Sequence, residues 1–258
     1  MNKKSVIVIC FIFCIISGCM SGKTPEFTKS PVECHEDILG KIAMSAGDDT
    51  IRGIAKITLN SSGAGYSRKT ALLLKPPSSL YMETMPLFGP ADFFLSANEK
   101  SLKVFFPGER KFYVGKATKE TLFLFFRVFL SPGDMVSILT GLPPRILQGN
   151  VSTYLEEGLY RVDIQSWTRK QSLWVKPDDY TLQKIEKINN GKLMYRVMFR
   201  GGIVIGGMRY PERIEIEVEE PERANITIRY LDLEISHAEN EPSFDLETPR
   251  GITPVFID

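Results

Sequence analysis

The stretch IRGIAKITLNSSGAGYSRKTALLLK, residues 51–75, decides the fold. Ile51, Ala55, Ile57 and Leu59 share one face of an extended chain, because successive strand side chains point to opposite sides. Tyr66, Thr70, Leu72 and Leu74 do the same in the second half. Asn60-Ser61-Ser62-Gly63 between them is turn chemistry. A turn this short joins antiparallel strands, since parallel neighbours need a long crossover.

The same punctuation continues on both sides. Strands fit 79–85, 92–98, 102–106 and 110–115, separated by Pro76-Pro77, Asn98-Glu99 and Pro107-Gly108. After residue 150 they fit 151–156, 159–166, 171–176, 181–188, 192–199, 210–219 and 224–235. Asn190-Gly191 is a two-residue hairpin signal. Gly201-Gly202 and Gly206-Gly207 lie between two runs and read as a flexible turn, not a phosphate cradle. The middle is helical. Leu122, Phe126 and Phe129 recur at helical spacing in 118–130. Ser131-Pro132-Gly133-Asp134 then starts a second helix carrying Met135, Ile138, Leu139 and Leu142, with Gly141 as its stop. An amphipathic helix covers about 31–46, and 239–258 read as an irregular tail with Phe244, Val255 and Phe256 as anchors. The chain is therefore mainly β within an α+β class: one antiparallel meander interrupted by helices.

The N-terminus reads as a lipoprotein leader. Lys3 and Lys4 precede the apolar run 5–16, and Ile16-Ser17-Gly18 stands before Cys19. The run is too short to span a bilayer. Residues 1–18 are thus expected to be removed, and Cys19 to carry the acyl groups. Residues 19–29 are expected to be a tether and 30–258 a single domain, with 236–258 as its tail. The leader takes Lys3 and Lys4 with it, turning 32 basic against 31 acidic residues into a side-chain balance of −1. That neutrality gives no reason to expect nucleic acid as a partner. Past the leader and Cys19 only Cys34 remains, so no internal disulfide can form.

Catalytic motifs are missing. The sequence has no G-x-S-x-G, H-E-x-x-H, P-loop or Cys-x-x-Cys, and its histidines are His35 and His237. Asp48-Asp49 and Asp178-Asp179 read as solvated turn acids, and Cys34 as a spectator on a helix. The expectation is a protein that is not an enzyme and needs no cofactor or metal.

Aromatic residues are concentrated instead. Ten of the 16 phenylalanines fall between Phe88 and Phe129. Residues 93–95 and 104–106 are apolar throughout, so both faces of those strands must meet apolar surface. Two readings stay open here: a thick packed core, or a concave sheet closed by helices over a cavity for acyl chains. In the second, Phe94, Phe106, Leu122, Phe126, Ile138 and Leu139 form the walls. Met85-Pro86-Leu87-Phe88-Gly89-Pro90 places two large apolar side chains in a turn. Leu87 and Phe88 either enter a bilayer or partner, or fold back onto the core.

The chain resembles the LolA/LolB-like lipoprotein-localisation family, nearest to the LolB-type receptor of the outer membrane. The matching pieces are Arg52-Gly53-Ile54-Ala55, Pro86-Leu87-Phe88-Gly89, Gly108 to Tyr113, Leu139-Thr140-Gly141-Leu142-Pro143, Pro211-Glu212-Arg213-Ile214 and the strand from Ile226 to Leu231. The resemblance implies an unclosed antiparallel barrel of about 11 strands with a helical lid over an apolar cavity. It implies lipid acyl chains or lipoproteins as cargo, a periplasmic carrier protein as a partner, and Leu87 at the position of a loop residue that delivers cargo. Phe88 is an insertion relative to that pattern. Met20, not Asp, follows Cys19, which points to the outer membrane. An accessory or sensor lipoprotein using the same fold to bind a protein partner is the other function class.

Overall fold

The computed structural model describes residues 35–44, 49–61, 64–236 and 243–257. The leader, Cys19, the tether, Cys34, Asp48 and His237 lie outside these residues. Helix α1 is His35–Met44. Strands β1 (Thr50–Ser61), β2 (Ala64–Lys75), β3 (Ser79–Met85), β4 (Phe94–Ala97), β5 (Ser101–Phe106) and β6 (Lys111–Lys116) follow. Helices α2 (Lys119–Phe126) and α3 (Pro132–Leu139) interrupt the meander. It resumes with β7 (Asn150–Glu156), β8 (Leu159–Ser166), β9 (Arg169–Val175), β10 (Leu182–Asn189) and β11 (Lys192–Arg200). The short β12 (Ile203–Ile205) and β13 (Met208–Tyr210) precede β14 (Arg213–Val218), β15 (Ala224–Ser236) and β16 (Pro254–Ile257).

Fourteen strands form one sheet in the order β16-β6-β5-β4-β3-β2-β1-β15-β14-β11-β10-β9-β8-β7. Its edges, β16 and β7, do not meet, so the sheet is unclosed. The count corrects the expected 11 or so. Part of the surplus is β16, which the irregular-tail reading missed; it pairs parallel to β6, from Pro254 opposite Phe112 to Ile257 opposite Gly115. Outside that count, the run 210–219 divides at Pro211, which has no N–H to give a ladder, and Tyr210 falls in a separate two-stranded sheet. The glycine-rich turn contains a hairpin: Gly206 and Gly207, both at positive φ, join β12 to β13.

The long pair β1–β15 forms the spine, with a register shift between Ile54 and Ala55. Beside the shift the chains approach closely at Gly53, where a Cβ would lie 2.7 Å from Leu233 Cδ1 and 3.0 Å from the Asp232 carbonyl. Ile51 and Ala55 are buried, and Ile57 and Leu59 pack half-buried on the same core, as the sequence period predicts. Asn190 and Gly191 both take positive φ between β10 and β11, the two-residue hairpin geometry.

Local capping sets both lid helices. Thr118 Oγ1 accepts from Thr121 N at 3.2 Å to start α2. Arg127 ends it in the left-handed region, its N–H donating to the Phe123 carbonyl at 3.0 Å. Ser131 and Asp134 form a reciprocal box at the start of α3, with bonds of 3.1 and 3.2 Å and Pro132 in the first turn. Leu122, Val136, Ile138 and Leu139 bury into the same core as the inner face of the sheet.

Strands β4–β6 meet apolar surface on both faces. Leu95 opposes Val104, and Val104 opposes Tyr113, on the inner side. Phe94 opposes Phe105, and Phe105 opposes Phe112, on the outer side. Phe112 is 0 % exposed yet stands apart from the main core cluster. The C-terminal segment crosses this outer face. Ser96 Oγ donates to the Phe244 carbonyl, Lys103 Nζ meets Asp245 Oδ1 at 2.6 Å, and Arg110 Nη2 meets the Gly251 carbonyl at 3.5 Å. Phe244 is half-buried there, whereas Val255 and Phe256 are exposed, so backbone pairing rather than these two side chains fixes the end of the chain.

Candidate functional site

The cavity between the lid helices and the inner sheet face has a wholly apolar lining. It measures about 50 Å³ and is lined by Ile57 and Met82 from the sheet, Phe126, Val128, Leu130, Met135, Ile138 and Leu139 from the helical segment, and Ile216, Ile226 and Ile228. Beside it, Phe106 meets Phe93 at 5.4 Å, Tyr113 at 6.2 Å and Phe125 at 6.2 Å between ring centres. Phe93 meets Phe126 at 5.9 Å, edge to face. Of the six wall residues read from the sequence, Phe126, Ile138 and Leu139 line the cavity, Phe106 joins the aromatic cluster and Leu122 is buried in the core. Phe94 faces the other way, stacked on Phe105 at 6.0 Å on the outer side. In an unbroken apolar run the strand period cannot choose the face; the register does.

One polar bond ties the lid to the sheet inside this region. Tyr230 Oη donates to the Leu139 carbonyl at 2.8 Å. That carbonyl ends α3 and has no helical partner of its own. Burial pushes the Tyr230 hydroxyl well above its ordinary range, so it stays a donor.

The loop between β3 and β4 is clamped at its base and free at its tip. Thr84 N donates to the Phe93 carbonyl at 3.1 Å, and Phe93 N donates to Thr84 Oγ1 at 3.1 Å. Thr84 Oγ1 also donates to the Asp92 carboxylate. Leu87 is 95 % exposed and Phe88 92 %, with Gly89 at φ +84° turning the chain behind them. An open concavity of about 800 Å³ lies beside the tip, lined by Met85, Pro86, Leu87 and Phe88 and by Lys56, Ser67, Arg68, Lys69, Asp92 and Leu231.

Of the turn acids read from the sequence, Asp179 is engaged in structure. Asp179 accepts from Thr181 N at 3.0 Å and Thr181 Oγ1 at 2.6 Å, and lies 3.9 Å from Arg209. Burial raises its carboxyl, but these hydrogen bonds outweigh burial and hold it below the usual range. It borders a mixed polar pocket of about 330 Å³ with Ile42, Thr140, Gly141, Arg209 and Tyr210. Asp49 is an exposed residue before β1. No group of three metal-ligating side chains exists among the described residues, and no described helix is long and apolar enough to cross a membrane.

No family model and no curated protein matches the sequence. Solved structures do match in shape. A DUF1329 family protein from Desulfovibrio piger aligns over 81 % of this chain and 95 % of its own, with 16 % identity and a TM-score of 0.56. A LolA superfamily protein from Nitrosomonas europaea aligns over 78 % and 93 %, with 15 % identity and a TM-score of 0.52. A Vibrio parahaemolyticus domain named for outer membrane lipoprotein sorting aligns over 79 % and 94 %, with 12 % identity and a TM-score of 0.57. The chain thus shares the fold of LolA superfamily and lipoprotein-sorting proteins.

Proposed function

We propose that this chain is an envelope lipoprotein, anchored through Cys19 to the outer membrane, that takes acyl chains of lipids or lipoproteins under its helical lid and releases them at a membrane through the loop at Leu87 and Phe88. The observation that carries this is the cavity between α2–α3 and the inner sheet face, whose lining is apolar throughout. That cavity holds only about 50 Å³. Ordinary ligand pockets hold about 300–1,000 Å³, so an acyl chain enters only when the lid lifts. Lifting exchanges side-chain packing for acyl packing at about 25 cal/mol per Å² on both sides. The exchange is therefore near balance and needs no polar contact from the cargo.

The fold likeness to lipoprotein-sorting proteins supports this reading without fixing the cargo. The small cavity favours a second reading, in which the interior is a permanent core and the chain is an accessory protein for a protein partner. A fluorescent fatty acid separates them. The chain lacking residues 1–18, with Cys19→Ser, is expected to bind the probe and give it up to a lipopeptide. No binding would remove the acyl-carrier reading in favour of the second. The anchor has its own mark: radiolabelled palmitate on the full chain and none on Cys19→Ala.

A further inference from the structure

The outer sheet face places five cations in one line. Arg200 on β11 opposes Arg213 on β14, Arg213 opposes Arg229 on β15, Arg229 opposes Lys56 on β1, and Lys56 opposes Lys69 on β2. The next step is Met85 at the end of β3, where the Leu87–Phe88 loop begins. All six side chains are exposed. At about 4.8 Å per strand the cationic row is about 19 Å long.

Like charges directly opposite one another destabilise a sheet. The whole chain is balanced, with 32 basic and 31 acidic residues, so general basicity does not account for the row. Carboxylates offset its far half. Glu215 lies 2.8 Å from Arg213 and 4.0 Å from Arg200, and Glu212 lies 3.6 Å from Arg229. Lys56 and Lys69 have no carboxylate partner among the described residues. These two lysines line the concavity of about 800 Å³ together with Leu87, Phe88 and Leu231. Its one acid, Asp92, accepts from Thr84.

We propose that the cationic row and the apolar loop at its end form one docking surface for an anionic lipid bilayer. The phosphates meet Lys56, Lys69 and Arg229, and Leu87 and Phe88 enter the acyl layer beneath them. This deepens the membrane-delivery reading above and rests on it. A bilayer fits because it presents anions in a plane with apolar matter directly below, the order in which the row and the tip are built. An acidic protein surface would meet the cations but leave two projecting apolar side chains without cover.

The test uses the chain lacking residues 1–18, with Cys19→Ser, which keeps every described element. Binding is measured by sedimentation with phosphatidylcholine vesicles, with and without phosphatidylglycerol. The expected result is binding that requires phosphatidylglycerol and weakens with salt. One cation near an anionic surface is worth about fivefold in partition, so Lys56→Gln with Lys69→Gln should weaken it about 25-fold. The reversal Lys56→Glu with Lys69→Glu should weaken it further, and circular dichroism checks that both variants are folded. Fatty-acid uptake by the same variants should be unchanged. Uptake lost in the parent chain, with phosphatidylglycerol-dependent binding kept, would remove the carrier reading alone. Equal binding to both vesicle types, or no effect of either lysine pair, overturns the docking surface. Capture of an acidic protein in the absence of vesicle binding overturns it too, and assigns the row to a protein partner.

Discussion

Leu87 and Phe88 stay outside because the backbone around them has nowhere else to go. Pro86 and Pro90 cannot donate to a ladder, Gly89 supplies the positive φ, and the Thr84–Phe93 bonds close the loop before its tip. Side chains exposed to this degree contribute little to folding. Leu87→Glu with Phe88→Glu is expected to change stability by no more than about 0.5 kcal/mol, within about 2 °C of the parent melting temperature. The same variant should lose vesicle binding, because each inserted side chain is worth roughly 1.5–3 kcal/mol. A large fall in melting temperature on calorimetry would instead make the pair core residues and end the delivery role. Composition alone left these two residues undecided between tip and core. What decides them is the base of the loop, a pairing of Thr84 with Phe93 that depends on tertiary register and on no local motif.

Between elements, strand register decides what composition leaves open. Apolar runs at 93–95 and 104–106 correctly imply cover on both faces, but not which residue takes which side. Pairing puts Phe93 and Phe106 under the lid and Phe94 and Phe105 under the C-terminal segment. The start of α3 was legible because Ser131 and Asp134 act within four residues. The cationic row was not, because its members are far apart in the chain and meet only through five strands. Register also builds a polar cluster on β7–β9. Asp163 accepts from Tyr154 Oη and from Arg161 Nε at 2.9 Å, and meets Lys170 Nζ at 2.9 Å. Burial pushes the Asp163 carboxyl up, but these bonds outweigh burial and hold it below the usual range. A lowered folded-state pKa gives stability that is present above the ordinary carboxylate value and lost as pH falls through the folded one. Asp163→Asn should therefore cost about 1–3 kcal/mol at neutral pH in urea unfolding, a difference that shrinks below about pH 4. A constant difference across that range would show that charge at Asp163 plays no part.

For the whole molecule, the unclosed sheet carries α2 and α3 as a separate layer packed on its inner face. The mainly antiparallel meander and the lid helices could be read from periodicity and capping. How little space these helices leave over the sheet could not, because it is a matter of packed volume that no spacing records. Apart from the bond from Tyr230 to the Leu139 carbonyl, the inner contacts of α3 are apolar. At its N-terminal end α3 lies against the β2–β3 turn, where a Cβ built on Gly133 would stand 3.7 Å from Ser78 Cβ. Disulfides span Cβ atoms about 3.5–4.5 Å apart, so Ser78→Cys with Gly133→Cys can pin this end of the lid. In a chain that also carries Cys19→Ser and Cys34→Ser, these are the only thiols left once the leader is absent. The oxidised form should gain stability and take up a fluorescent fatty acid at least tenfold more slowly than the reduced form, about 1.4 kcal/mol in the opening step. Adding dithiothreitol should restore the parent rate within the same sample. Equal uptake by the oxidised and reduced forms, with the crosslink verified by mass, would place the acyl entrance away from α3 and leave α2 as the element that moves.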